Sequence, residues 1–179
     1  MADPTPVLRV TPGEIPERAL VVGDPERAER VAARLDDARE LGRFREYVTF
    51  AGRHRGTEVA VASHGVGAPG AALCFEELHQ AGVTRIIRAG TCGGLQHDVA
   101  DGDLVIATGA IREDGLTSGL VPATFPALAT VDVVTALRAA ASASGQPVHE
   151  GVVLTGAVFY SHDVLGSPLA LWAKTGAVA

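Results

Sequence analysis

An arginine stands at the end of a short apolar run, followed at once by a glycine-rich turn. The run 85–88 (RIIR) is typical of a buried parallel strand, and 90–94 (GTCGG) follows Arg88 after one residue. Ligands of open α/β sheets bind at the carboxyl ends of strands. A fixed positive charge, the Thr91 hydroxyl and a glycine backbone that can expose its N–H groups therefore indicate an anion site. The alternative is an Arg88 paired with a structural carboxylate beside an ordinary turn.

A second arginine follows another strand-to-helix turn. The run 18–22 (RALVV) predicts a buried strand, and Gly-Asp-Pro at 23–25 predicts a helix that continues to about Leu35, because Asp is a good N-cap and Pro suits the first helical position. Arg27 falls in the first turn, where the helix dipole disfavours a cation and a bound anion would offset the cost. A solvated Arg27 is the alternative. We expect Arg27 and Arg88 to meet around one oxyanion at one edge of the sheet.

A glycine motif lies between these two features. Residues 64–70 (HGVGAPG) contain G-x-G-x-x-G between a predicted strand, 57–63, and a predicted helix, 71–80, a context typical of dinucleotide sites. However, the motif follows a predicted hairpin (46–52 and 57–63), and the next strand ends in arginine where an acidic ribose ligand is expected. The pattern therefore favours close backbone approach to a smaller ligand. His64 is either a polar contact of that ligand or a structural histidine.

The remaining elements predict an α/β fold. We expect a strand at 102–108, a long loop at 113–127, a helix at 131–144, a strand at 148–155, a helix at 164–174 and the start of a strand at 177–179. Phe159, just past a strand end, either stacks on a flat ring or packs in a core. Because the sequence stops inside a sheet-forming segment, we expect it to be truncated.

Composition narrows the functional classes. A net charge of −6 argues against a nucleic-acid or acidic-membrane partner. The two cysteines form no zinc or disulfide pattern, and no histidine pair has metal-ligand spacing, so we predict no metal. A hydrophobic content of 47% with few aromatics is typical of helices packed on a buried sheet. Without a leader or a bilayer-spanning run, the sequence predicts a soluble cytoplasmic protein.

Taken together, five short motifs resemble one known family in order and spacing. They are Gly23-Asp24-Pro25-x-Arg27, Ser63-His64-Gly65-Val66-Gly67, Phe75-Glu76-Glu77-Leu78, Ile86-Ile87-Arg88-Ala89-Gly90-Thr91-Cys92-Gly93 and Phe159-Tyr160. The chain is similar to the nucleoside phosphorylase-I family of purine nucleoside and uridine phosphorylases from about residue 18 to 179. The resemblance implies a three-layer α/β fold, with a mixed, mostly parallel central sheet flanked by helices. It also implies a single nucleoside phosphorylase domain over 1–179, with its C-terminal part missing.

The resemblance further implies phosphorolysis, in which inorganic phosphate attacks C1′ of a nucleoside and releases the free base and ribose 1-phosphate. No cofactor is expected, because phosphate is a co-substrate, and the protein is expected to be a dimer-built trimer or hexamer. By this likeness phosphate is held by Gly23, Arg27, Arg88 and Thr91, and by Arg45 reaching a neighbouring subunit. Val66 would line the ribose pocket, and Cys92, Gly93 and Phe159 the base pocket. Cys92 as a nucleophile is disfavoured, since the sequence fixes no activating histidine beside it.

Three departures from the family pattern affect the activity. Val7 stands where the family usually has a histidine that reaches a neighbour's sugar. The acidic segment that grips the ribose, and the later Ser-Asp pair of the purine enzymes, would lie beyond Ala179, so no catalytic residue is identified. A chain ending there is expected to bind phosphate weakly and to turn over poorly or not at all.

The preferred base is the least determined feature. Residues 161–166 lack the Gln and Arg with which uridine enzymes read a pyrimidine, which favours a purine. Residues 111–115 and 125–127 resemble loops of uridine enzymes and of some protozoan purine enzymes, so a uridine phosphorylase is the alternative. A non-catalytic phosphate- or nucleoside-binding module is a second alternative.

Overall fold

The computed structural model describes residues 2–160 and 169–179, which form two compact units, one ending at Gly90 and the other starting at Thr91. None of the helices within the described residues is long and apolar enough to cross a membrane. The α/β fold class predicted from the sequence is confirmed. The assignment of 1–179 to a single domain stays a prediction.

The first unit is built on a mixed five-stranded sheet. Its strands are β1 (Arg18–Val22), β2 (Asp36–Phe44), β3 (Tyr47–His54), β4 (Thr57–Ser63) and β5 (Arg85–Arg88), in the order β2-β3-β4-β1-β5. β1 runs parallel to β4 and to β5, whereas β3 is antiparallel to β2 and to β4. Val22 pairs with Ser63, and Val21 pairs with Arg88. The carboxyl ends of β1, β4 and β5 therefore meet at one edge of this sheet.

Two helices, α1 (Pro25–Ala32) and α2 (Gly67–Ala81), cover the sheet. Because side chains alternate along a strand, Val22 and Val61 pack with Ala28 of α1, while Ala19, Val21, Ala60 and Ala62 pack with Cys74 and Leu78 of α2. The first unit is thus a helix–sheet–helix sandwich. Its core rests on small residues, which bring α2 close to the strands that carry the site.

The amino-terminal segment is part of this core. Leu8 and Val10 are fully buried in the cluster on the α2 side. The buried carboxylate of Glu77 accepts hydrogen bonds from the backbone N–H of Val7, at 2.9 and 3.0 Å, and of Leu8, at 2.7 Å. The amino-terminal segment is therefore irregular in backbone but fixed in place by the buried carboxylate of Glu77.

The second unit contains a three-stranded sheet in the order β7-β6-β8. Its elements are β6 (Leu104–Glu113), a 3₁₀ turn (Thr117–Gly119), β7 (Ala127–Leu128), α3 (Val131–Ser144), β8 (Val148–Gly156) and α4 (Leu169–Lys174). Val134 and Ala141 of α3 pack on Ile106 of β6. The only tryptophan of the chain, Trp172, lies on α4.

The final residues lie beside β8. The N–H of Val178 donates to the carbonyl of Val152 at 2.9 Å, and the N–H of Leu154 donates to Ala179 at 2.6 Å. Val178 occupies the space where a side chain at Gly151 would lie, since an added Cβ there would be 2.7 Å from Cγ1 of Val178. The sheet-forming character expected for 177–179 thus takes the form of ladder hydrogen bonds to β8, without a regular strand.

Some boundaries differ from those expected. α1 ends at Ala32, not near 35, and α2 begins at Gly67, four residues before the expected start. β2 was not expected at all, because its residues are polar and mostly exposed and its pairing with β3 contains two register shifts that interrupt the alternation. The first part of the helix expected at 164–174 lies outside the described residues.

Candidate anion site

The site begins where three parallel strands of the first unit end. The backbone N–H of His64 donates to the carbonyl of Val22, and that of Ala89 donates to Val21, both at 2.9 Å. These bonds extend the ladders by one residue and fix the start of each following loop. Gly23, His64 and Arg88 are therefore held at one edge of the sheet, which is the position where α/β folds bind ligands.

Arg88 contacts a histidine. Its Nε–H donates to Nε2 of His64 at 2.9 Å, and no carboxylate is paired with its guanidinium among the residues described. The described residues therefore contain no structural acid that neutralises Arg88, which was the alternative that the sequence left open. His64 is itself 3% exposed, and burial, together with the charge of Arg88, lowers its pKa.

Gly90 gives the Arg88 side chain its space. A Cβ added at Gly90 would lie 2.7 Å from Nη1 of Arg88, 3.3 Å from Cζ and 3.4 Å from Nη2. The guanidinium therefore lies over the bare Cα of Gly90. Gly23 differs, because a Cβ there would make only ordinary van der Waals contact with His64, at 3.9 Å from Cε1 and 4.0 Å from Nε2.

Arg27 lies on the first turn of α1, as predicted. The helix begins with Asp24, whose carboxylate accepts from the N–H of Glu26 at 2.9 Å, and with Pro25 at the first helical position. Arg27 is half-buried and makes no hydrogen bond or ion pair to any residue in the described ranges. Two arginines at the same sheet edge thus carry charges that no described acid neutralises. That they hold one anion stays a prediction.

The HGVG segment is shaped by close packing. Gly65 has φ +70°, and a Cβ there would overlap the Glu46 side chain. At Gly70 an added Cβ would lie 2.6 Å from the His64 carbonyl oxygen. The glycine spacing that suggested close backbone approach therefore serves contacts inside the protein. Val66, between these glycines, is 99% exposed.

Arg45 lies apart, at the tip of the β2–β3 hairpin. It adopts φ +54°, and its Cζ lies 5.1 Å from the centre of the Phe44 ring, on which Cζ of Arg9 also stacks, at 4.1 Å. Arg45 is exposed. Neighbouring Arg43 instead forms ion pairs with Glu29 and Glu40, both at 2.8 Å. An exposed Arg45 suits the predicted role of reaching another subunit, which stays a prediction.

The remaining predicted site residues belong to the second unit. Thr91, Cys92 and Gly93 are exposed and lie in an irregular segment, and Cys92 is a free thiol. Phe159 is 89% exposed and packs edge-to-face on Tyr160, with ring centres 5.1 Å apart. The core-packing alternative for Phe159 is therefore wrong. Residues 161–166, on which the preference for a purine depends, lie outside the described residues.

No cluster of three or more His, Cys, Asp or Glu side chains able to hold a metal occurs in the described ranges. The contact that sequence reasoning missed is the one between His64 and Arg88. These residues are 24 positions apart, and only the pairing of β1 with both β4 and β5 brings them together.

The family model described as the phosphorylase superfamily matches residues 17–179, so the chain belongs to the phosphorylase superfamily. It is 37% identical over 158 residues to the guanosine phosphorylase of Halorubrum lacusprofundi, covering 88% of this chain and 66% of that protein. It is 40% identical over 142 residues to the uridine phosphorylase of Haemophilus influenzae, covering 79% and 56%. The crystal structure of purine nucleoside phosphorylase from Toxoplasma gondii in complex with immucillin-H matches with a TM-score of 0.92 and 35% identity, over 97% of this chain and 71% of that one.

These matches confirm the predicted resemblance to nucleoside phosphorylases. The chain spans 66% and 56% of the lengths of the two curated relatives named here.

Proposed function

We propose that this protein is a purine nucleoside phosphorylase, which uses inorganic phosphate to cleave the N-glycosidic bond of a purine nucleoside. The observation that carries the proposal is that Arg27, in the first turn after β1, and Arg88, at the end of the neighbouring strand β5, have no neutralising acid among the described residues. Membership of the phosphorylase superfamily supports it.

In this proposal the arginines bind and orient the phosphate. Guanidinium groups bind phosphate oxygens through charge-assisted hydrogen bonds. A phosphate oxygen attacks C1′ while the bond from C1′ to the base nitrogen breaks, and the bonding electrons leave with the base, which gains a proton. The products are the free base and ribose 1-phosphate. Because the sugar becomes cationic in the transition state, a phosphate fixed beside C1′ stabilises it electrostatically.

Further roles extend the proposal to other residues. Thr91 adds a hydroxyl to the phosphate, Val66 lines the ribose, and Cys92, Gly93 and Phe159 contact the base. Arg45 reaches the phosphate of a neighbouring subunit in a dimer-built trimer or hexamer. The protein acts in the cytoplasm in purine salvage, with phosphate as co-substrate and no cofactor.

The test is phosphate-dependent release of hypoxanthine from inosine by the purified protein, compared with uracil release from uridine. Arg88→Gln is expected to raise the KM for phosphate at least about ten-fold, because one charge-assisted contact is lost. Arg34→Gln, a change at an exposed arginine beyond α1, is the matched control and is expected to leave that KM unchanged. Equal phosphate KM values for the two variants would argue against the site.

A uridine phosphorylase is the second candidate, supported by the 40% identity to the Haemophilus influenzae enzyme. Preferential release of uracil would favour it. Thermal shifts with phosphate and inosine, without turnover of either nucleoside, would instead favour a binding module.

A further inference from the structure

The hydrogen bond between Arg88 and His64 fixes the chemical state of the histidine. A guanidinium N–H can only donate, so Nε2 of His64 must offer its lone pair. A doubly protonated imidazolium has no lone pair to offer. The ring is therefore neutral, with its proton on Nδ1, as long as this contact exists.

The surroundings of His64 make it a rigid acceptor. The residue is 3% exposed, and its ring meets Phe75 of α2 edge-on, with ring centres 6.2 Å apart. Its backbone is fixed by the bond to Val22. A side chain held by packing on one face and by the sheet at its base has little freedom to follow a moving partner.

The contact also determines which hydrogen-bond donors of Arg88 stay available for a ligand. Binding through Nε leaves both terminal nitrogens without a partner in the described part of the chain, and these nitrogens lie over Gly90. Because the acceptor is uncharged, the guanidinium keeps its full positive charge. A carboxylate in the same place would orient Arg88 equally well but would cancel much of its attraction for an anion.

We propose that His64 is a positioning residue, whose neutral Nε2 holds the Arg88 guanidinium with both terminal nitrogens directed to the phosphate. This inference rests on the proposed function, since it takes phosphate to be the anion at this sheet edge. His64 acts through Arg88 and does not itself bind the phosphate.

Protonation of His64 is expected to release Arg88. The ionisable groups that contact His64, or that lie beside or contact the residues around it, are Asp24, Glu46, Tyr47, Cys74 and Arg88. The elements α2 and β5 also carry Glu76, Glu77, His79 and Arg85. Burial raises the pKa of Cys74 to about 12 and also raises that of Tyr47, so neither loses its proton in the range where histidine titrates. Asp24 and Glu46 are carboxylates. The Glu46 side chain lies against Gly65 of the HGVG segment, so Glu46→Gln serves as the control for an effect of this carboxylate on the pH dependence. Burial and Arg88 lower the pKa of His64, so the neutral ring is maintained through neutral pH.

The experiment measures sulfate binding by calorimetry to the wild-type protein, His64→Gln and His64→Leu at pH 5 to 8. Sulfate is the probe because its charge is constant where histidine titrates, about pH 5 to 8, whereas that of phosphate is not. Leucine fills similar space without an acceptor, and we expect it to weaken sulfate binding about ten-fold at pH 7.5. Glutamine places an amide oxygen within reach of Arg88 Nε, so we expect it to restore most of the affinity.

The pH dependence separates positioning from a packing role. Wild-type affinity for sulfate is expected to fall as the pH drops through the lowered pKa of His64, whereas that of His64→Gln stays level. If His64→Leu does not fold, this comparison and ¹⁵N NMR of the imidazole remain decisive. The imidazole signal that is missing from the His64→Gln spectrum belongs to His64, and we expect it to be that of the Nδ1–H tautomer.

Three results would overturn the inference. Equal sulfate affinity of wild-type protein and His64→Leu removes the positioning role. An affinity that rises on acidification means that His64⁺ binds the anion directly, and an Nε2–H tautomer contradicts the hydrogen bond itself. Absence of sulfate binding by the wild-type protein has a different meaning, because it refutes the phosphate site of the proposed function and this inference with it.

Discussion

Replacement of Gly90 by alanine is expected to abolish most anion binding while leaving the fold intact. The added Cβ would lie 2.7 Å from Nη1 of Arg88, where ordinary contacts begin near 3.4 Å. The guanidinium must therefore move by about 0.7 Å, and displacements of about 1 Å in a preorganised site cost up to 100-fold. Loss of one charge-assisted hydrogen bond, about 1.5–3 kcal/mol, corresponds to a weakening of about 10- to 100-fold.

The cost in stability is small by comparison. The backbone of Gly90 does not occupy the left-handed region, and the atoms it would displace form the end of a flexible side chain. Alanine in a compatible conformation gains about 0.4–1 kcal/mol by restricting the unfolded chain, which offsets part of the strain. We expect the free energy of unfolding to change by less than about 1 kcal/mol.

Calorimetric titration with sulfate and urea unfolding followed by circular dichroism measure the two quantities. Gly119→Ala is the control, because nothing lies within 4 Å of a Cβ added there. Gly90→Ala protein that binds sulfate as tightly as the control would refute the reasoning, since Arg88 would then need no open space over residue 90.

Three other outcomes are expected. Glu77→Gln should lower the free energy of unfolding by about 2 kcal/mol, because the amide offers only one oxygen to the N–H groups of Val7 and Leu8. Exposed Glu76→Gln should change it by less than about 0.5 kcal/mol, and equal stabilities of the two variants in urea would contradict this. Hydrogen bonds from the N–H of Ala100 and from His149 lower the pKa of Asp103. The contribution of Asp103 to stability is therefore full above about pH 4 and is lost as the pH falls below that value. The difference in free energy of unfolding between wild type and Asp103→Asn should shrink as the pH falls, and a constant difference would contradict this. A thiol reagent should modify exposed Cys92 rapidly and buried Cys74, whose pKa is raised to about 12, only on unfolding; two rapidly reacting thiols in native protein would contradict this.

The sequence predicted the elements that carry strong local signals. Apolar runs identified β1 and β5, and α3 was found at its observed limits, since a glycine closes it. The same signals are weak in β2, whose polar, bulged residues follow no period of two. Gly67 and Pro69 concealed the start of α2, because both residues are more often signs of a loop.

The candidate site was predictable in its charges but not in its contacts. Arg27 and Arg88 stand out because each follows a recognisable strand. The partner of Arg88 depends on strand order, which local patterns do not encode. From the sequence alone, His64 could therefore be interpreted equally well as a ligand contact or as a structural histidine. The same limit applies to Glu77, whose role in fixing the amino-terminal segment rests on a contact across 69 and 70 residues.

The position of Trp172 has a practical consequence for studies in solution. As the only tryptophan, on a helix of the second unit, it makes selectively excited tryptophan emission a report on that unit. Of the two tyrosines, Tyr47 is buried in the core of the first unit and Tyr160 is exposed, so the change in tyrosine absorbance on unfolding reports mainly on the first unit. Melting curves recorded at the two wavelengths will coincide only if both halves lose their structure in one cooperative step.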